Sequence, residues 1–178
     1  WAKTQGDPGV VAANTSATEK QLREHALQLH AKAQKDKTSR AEFEGAAALY
    51  GVYLSKFAGD KDSYQIHYYL AEIRFHRLDK PTEAATEYMA AAKAIPAKEA
   101  EVEPLKTLRH DAIYNALAAL ERVRFADIEA RKKDKNATAK ESESDKKFAE
   151  ALDLYAQLYP NDPALPELVD VEGSWKAG

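Results

Sequence analysis

The sequence predicts an all-α protein, built as a short helical solenoid with one over-long helix. Three observations predict it. Apolar residues recur every three or four positions in six separate segments, and none alternates convincingly with the period of two that a half-buried strand needs. Ser or Asp stands three residues before Glu or Gln at the head of several segments, the pattern that caps a helix N-terminus. Two segment ends also match each other at a spacing of 38 residues. Self-similarity at a period of about 20–50 residues marks stacked repeats.

Residues 1–15, WAKTQGDPGVVAANT, carry Gly6, Pro8 and Gly9 and no helical period, and read as an irregular lead-in. The helical domain is expected over 16–178. Its first helix starts at the capping box Ser16–Glu19, and its stripe is Leu22, Ala26, Leu29, Ala33. The second starts at Ser39–Glu42, with Phe43, Ala46, Ala47, Tyr50, Tyr53, Leu54 and Phe57 on its apolar face. Gly45 and Gly51 in this helix each cost about 1 kcal/mol relative to alanine, a cost that close packing of backbones would offset.

The third helix starts at Asp62–Gln65 and has two apolar stripes: Tyr64, Tyr68, Ala71, Phe75, Leu78, and Ile66, Leu70, Ile73. Such a wide apolar face should be covered on more than one side. The fourth lies in KPTEAATEYMAAAKAIP. Pro81 sits in its first turn, where a missing N–H is harmless, and Pro96 lies just past its end. Its surface is largely alanine, as a helix squeezed between two others requires.

The fifth helix is expected over Leu105 to Lys133, with Leu105, Leu108, Ala112, Ala116, Ala119, Val123 and Ala126 as its stripe and Ile113, Leu117 and Leu120 beside it. At ~1.5 Å per residue it would be roughly 40 Å long, about twice the others. Its basic end, with Arg131, Lys132 and Lys133, is expected in solvent, favoured by the helix dipole. The polar stretch DKNATAKESE reads as a loop. The sixth helix covers about Ser144 to Tyr159, and Leu165, Leu168 and Val169 begin a further helical pattern. The chain begins at Trp1 rather than Met, and a new apolar pattern opens close to its end, so it reads as a fragment of a longer protein.

The 38-residue spacing relates Ala46 to Ala84, Tyr50 to Tyr88 and Phe57 to Ile95. LDLYAQLYPND closes the sixth segment in a similar way. On these residues the chain resembles the tetratricopeptide repeat family. Leu70-Ala71 is similar to the large–small pair of that family's first helix. Ala84, Tyr88, Ala91 and Pro96 match its second helix at the family's own spacing. Ala46, Tyr50 and Phe57-Ala58 match the preceding unit, with Tyr53 at the later small position and Ala58 at the proline. The turn glycine is replaced around Asp79-Lys80. The approximate units are 19–58, 62–96 and 105–160. The resemblance implies antiparallel helix pairs stacked as a right-handed solenoid. A plain helical bundle is the alternative.

Composition narrows the function. Hydrophobic residues make up 44% of the 178, enough for a core. The 26 basic and 29 acidic residues are mixed along the chain, without the one-signed patch that nucleic acid needs. The absence of cysteine excludes disulfides, zinc–thiolate sites and cysteine nucleophiles. No apolar run is long enough to span a membrane. His25, His30, His67, His76 and His110 are not spaced three or four apart on one face, so no metal site is expected and they read as surface or boundary residues. No metalloprotease, phosphate-loop or nucleophile-elbow motif occurs. Carboxylates lie among lysines, as on a solvated face. Asn14-Thr15-Ser16 and Asn136-Ala137-Thr138 match the glycosylation triplet, which is common by chance.

The resemblance implies a non-catalytic protein–protein interaction module or scaffold, with no cofactor and a protein or peptide partner. In the family the groove is lined mainly by first helices. In the best unit that stripe is Gln65, Tyr69, Glu72 and His76, the expected partner-binding residues; the bland reading is that Tyr69 packs against a neighbouring unit. These four do not supply the carboxylate clamp of eukaryotic cochaperones. The long fifth helix resembles those of large repeat proteins of bacterial cell envelopes, which implies the periplasm or envelope, in a motility or outer-membrane machine; the cytoplasm is the alternative. A rigid spacer in a longer solenoid is the second function reading, and an enzyme or small-ligand carrier the third.

Overall fold

The structure is a computed structural model that describes residues 7–35, 39–133 and 142–169. Among them there is no strand. Six α-helices follow one another: α1 Pro8–Lys35, α2 Arg40–Phe57, α3 Ser63–His76, α4 Pro81–Ala94, α5 Leu105–Lys133 and α6 Glu143–Leu158. One 3₁₀ turn, Glu99–Glu101, precedes α5, and residues 165–169 are again helical. The helices pack in chain order, each on the next, and the 3₁₀ turn packs on α5.

Two expectations about length fail for one reason. The first helix begins at Pro8 rather than Ser16, so residues 8–15 are helix and not an irregular lead-in. The Asp7 carboxylate accepts from the Gly9 N–H at 2.8 Å and replaces the expected Ser16 cap. Pro8 sits at the first helical position, where it is tolerated. With 28 residues α1 nearly equals the 29 of α5, so among the described residues there are two long helices and not one. Residues 7–18 of α1 are exposed throughout, so no apolar stripe could announce them.

The caps vary. Ser39 accepts from the Glu42 N–H at 3.4 Å, while Asp62 makes no side-chain cap bond. The complete capping box is Ser142 with Asp145, which starts α6 at Glu143. Between α3 and α4 the chain turns at Asp79, whose φ is 57°. Asp tolerates this left-handed conformation better than most residues, which explains how it replaces the turn glycine.

The core has two parts that share α3. One gathers Ala26 and Ala33 of α1, Phe43, Ala46, Tyr50 and Tyr53 of α2, and Ile66, Leu70 and Ile73 of α3. The other gathers Ala71 of α3 with the alanines and Tyr88 of α4, Ile113, Leu117 and Leu120 of α5, and Phe148, Leu152 and Tyr155 of α6. Tyr68, Ala71 and Phe75 belong to the second part and Ile66, Leu70, Ile73 and Leu78 to the first, so the wide apolar face of α3 is covered on two sides. Ala84, Ala85, Ala91 and Ala92 are buried because α4 lies between α3 and α5.

Gly45 and Gly51 part company. A Cβ on Gly45 would come within 3.3 Å of Leu29 Cδ2, so α1 does approach closely there. A Cβ on Gly51 would meet nothing within 4 Å, and close packing does not explain this residue. Gly51→Ala is therefore expected to stabilise the protein by about 0.5–1 kcal/mol, read as a raised denaturant midpoint. A loss of stability would show a close neighbour at that position.

Candidate functional site

The four residues singled out on the third helix share one stretch of α3, but most are already engaged. Tyr69 is half-buried. Its ring lies edge-on to His30 of α1 at 5.7 Å and tilted to Tyr50 of α2 at 6.3 Å, and its hydroxyl accepts from Gln65 Nε2 at 3.2 Å. It packs against the first core, as the bland reading expected. Glu72 accepts a short hydrogen bond from the Tyr88 hydroxyl of α4 and lies 3.7 Å from His76 Nε2. His76 is the exposed member and rests edge-on against Phe75 at 4.8 Å.

The same arrangement occurs in each successive helix pair. A fully buried tyrosine of the even helix meets a polar side chain of the odd helix before it. Tyr50 of α2 meets His30 Nδ1 of α1 at 3.0 Å, Tyr88 of α4 meets Glu72 of α3, and Tyr155 of α6 meets His110 Nε2 of α5 at 3.1 Å. A buried phenol needs a partner, because an unmade hydrogen bond in the interior costs about 1–3 kcal/mol. Burial pushes all three phenols far above their ordinary range, with the nearby carboxylate adding to the effect for Tyr88 and Tyr155. They stay neutral at any physiological pH.

These pairs join into a polar and aromatic band across the odd helices. Asn115 Nδ2 of α5 reaches the Tyr68 hydroxyl of α3 at 3.5 Å. Burial, with Glu72 and Asp111 close by, pushes Tyr68 up to about 12. His110 stacks on the exposed Tyr114 at 6.2 Å and contacts Asp162 Oδ2 at 3.3 Å. Exposed along this band are His76, Asp111 and Tyr114.

His30 departs from the sequence reading: it is only 8% exposed, neither surface nor boundary. Neither Asp145 nor Arg124 was singled out either. Arg124 of α5 is buried and donates to Asp145 Oδ1 at 2.9 Å, with its guanidinium over the Phe148 ring. Arg131 bonds Asp127 at 2.9 Å and Asp145 at 3.3 Å, so it ties the end of α5 to α6 rather than extending into solvent. Asp145 sits at N3 of α6, and the capping pattern at Ser142 was the signal that could have found it. Glu87 is likewise held between His67 and Arg74, each at 2.6 Å. So these carboxylates do not belong to a solvated face.

An open cleft of about 350 Å³ lies beside this clasp, lined by Thr82, Leu120, Val123, Asp127, Ser144 and Lys147. Its Asp127 carboxylate is already occupied by Ser144 at 2.9 Å and by Arg131. Among the described residues no group of three His, Asp or Glu could hold a metal ion, and no helix is long and apolar enough to cross a membrane. Asn14 lies on α1, while Asn136 and the loop around it lie outside the described residues.

Fold and site together define an all-α protein of sequentially packed helices with a tyrosine-rich band across its odd helices. Compared with known proteins, the chain matches no family model, no curated protein and no solved structure.

Proposed function

We propose that the chain is a tetratricopeptide-like interaction module, a short right-handed solenoid of antiparallel helix pairs that binds a protein or peptide without catalysis. The observation that supports this reading is a recurring bond: Tyr50, Tyr88 and Tyr155, each buried on an even helix, bond a polar side chain of the helix before. Burial of α4 on both sides supports it as well. The binding surface is then the band on the odd helices. Its exposed groups are His76, Asp111 and Tyr114, with Gln65 and Glu72 at the edge. Tyrosine suits such a surface because it supplies contact area at low entropic cost. The sequence resemblance favours a bacterial envelope or periplasmic assembly, such as a motility or outer-membrane machine.

The rigid-spacer reading stands second. Its support is that Tyr69 and Glu72 are already committed to His30, Tyr50 and Tyr88. One experiment separates the two. The immobilised chain is used for capture from the source organism, with mass spectrometry, beside the double variant His76→Ala, Tyr114→Ala. Both side chains are exposed, so the melting temperature should hold. A specific partner whose affinity falls by about tenfold in the variant, about 1.4 kcal/mol, supports the module. No capture, or capture indifferent to the variant, supports the spacer.

A further inference from the structure

We propose that His30 is a pH-operated latch, holding α1 against the body of the protein and releasing it on acidification. α1 buries few side chains completely. Of its 28 residues only Ala26, His30 and Ala33 are buried. Its leucines Leu22, Leu27 and Leu29 are half-buried, so His30 is the largest side chain that α1 buries. The socket is aromatic: the rings of Phe43 and Tyr50 of α2 and Tyr69 of α3 stand roughly perpendicular to the imidazole, with centroids at 6.3, 5.7 and 5.7 Å.

The ring bonds fit the neutral form. Nδ1 lies 3.0 Å from the Tyr50 hydroxyl and Nε2 lies 3.3 Å from Gln34 Nε2. With the Gln34 amide donating, Nε2 accepts and Nδ1–H donates to Tyr50. A second proton would make both ring nitrogens donors, force the Gln34 amide to turn over, and place a charge where water hardly reaches. The charged groups that act on the ring both come from α3: Glu72 favours the cation and Arg77 opposes it. The ring's contacts on α2, Tyr50 and Phe43, are neutral, as is Gln34 of α1; beside them Lys32 of α1 pairs with Glu42 of α2 at 2.8 Å. Burial is the largest influence and holds the imidazole below its ordinary value of 6.5.

Once undocked, His30 regains that ordinary value. Below pH 6.5 the released helix therefore binds more protons than the docked one, and acid favours release. Docking is at full strength above pH 6.5 and weakens as pH falls toward the docked value. Two other ties join α1 to α2, Lys32 to Glu42 at 2.8 Å and Glu19 to Tyr53, and the second does not titrate first. Glu19 accepts from Tyr53 at 2.7 Å and Arg23 at 2.8 Å; burial opposes its ionised form, but these bonds hold it below its ordinary 4.5. Release would uncover Phe43, Tyr50 and Tyr69, and it does not depend on the band being a binding surface.

The test is hydrogen exchange on the whole chain at about pH 7.5 and about pH 5, corrected for intrinsic rates, with NMR titration of the His30 ring. Amides of 22–35 are expected to lose about tenfold in protection at the lower pH, while 84–92 and 112–120 keep theirs. The His30 ring should titrate below 6.5, together with the loss. His30→Phe should hold α1 at both pH values, and His25→Gln on the exposed side should leave the response intact. Unchanged protection in the natural chain, a response that survives in His30→Phe, or a His30 ring titrating at or above 6.5 would each overturn the latch. The natural chain alone decides the question if His30→Phe fails to fold.

Discussion

Replacing Tyr88 by alanine is expected to destabilise the protein by about 3–5 kcal/mol, measured by urea or thermal unfolding. Tyr88 is fully buried on α4, with its ring edge-on to Tyr68 at 5.6 Å and its hydroxyl on Glu72. Four positions around it are Ala84, Ala85, Ala91 and Ala92, so of the apolar side chains on α4 only the half-buried Met89 is bulky enough to move toward the space. The cost of a cavity depends on how far its walls can collapse, and here α3 and α5 hold the walls apart. Tyr88→Phe keeps the ring and loses only the hydrogen bond. Glu72 is partly exposed and water can replace the donor, so the cost should be about 0.5–1.5 kcal/mol. If Tyr88→Ala cost less than about 1 kcal/mol, α4 could not be the sandwiched helix described above.

Arg124→Ala is expected to cost about 3 kcal/mol near neutral pH. Removing one partner of a buried ion pair costs about 3–5 kcal/mol because the other charge is left behind. The lower end applies because Asp145 is 20% exposed. Asp145 also sets an acid dependence. Burial works against its ionised form, yet the Ser142 N–H and hydroxyl and the Arg124 and Arg131 guanidinium groups outweigh it and bring it to about 2. The ordinary value is 3.8, so this stabilisation is complete above about pH 4 and is lost as pH falls toward 2. The gap between natural and Arg124→Ala proteins should narrow over that window. A gap that stayed constant from pH 7 to about pH 2 would mean that Arg124 acts through its packing on Phe148 and not through its charge.

Helix positions were legible where an apolar stripe met a partner. The middle of α1 and all of α2 to α5 follow their stripes, and the wide apolar face of α3 is covered on two sides. The first turns of α1 were not legible, because an exposed helix carries no stripe and its start rests on Asp7 and Pro8 alone. The start of α6 lies one residue before the expected Ser144, where the capping box of Ser142 with Asp145 sets it.

The site was less legible than the fold. Tyr69 looked like a free aromatic between polar residues, yet it faces His30 and Tyr50, which are 39 and 19 residues away in the chain. A helical stripe says which residues share a face. It does not say which of two polar stripes the next helix will cover.

By itself, then, the sequence determined an all-α chain and the order of its helices, and it set alanine where α4 is pressed from both sides. These depend on spacing and side-chain size, which are local. Only the tertiary structure decided that His30 is buried, that Arg124 closes on Asp145, and that Tyr50, Tyr88 and Tyr155 each bond back to the helix before them. Those pairings depend on how α-helices cross in space, where a rotation of one residue exchanges a solvated side chain for a buried one.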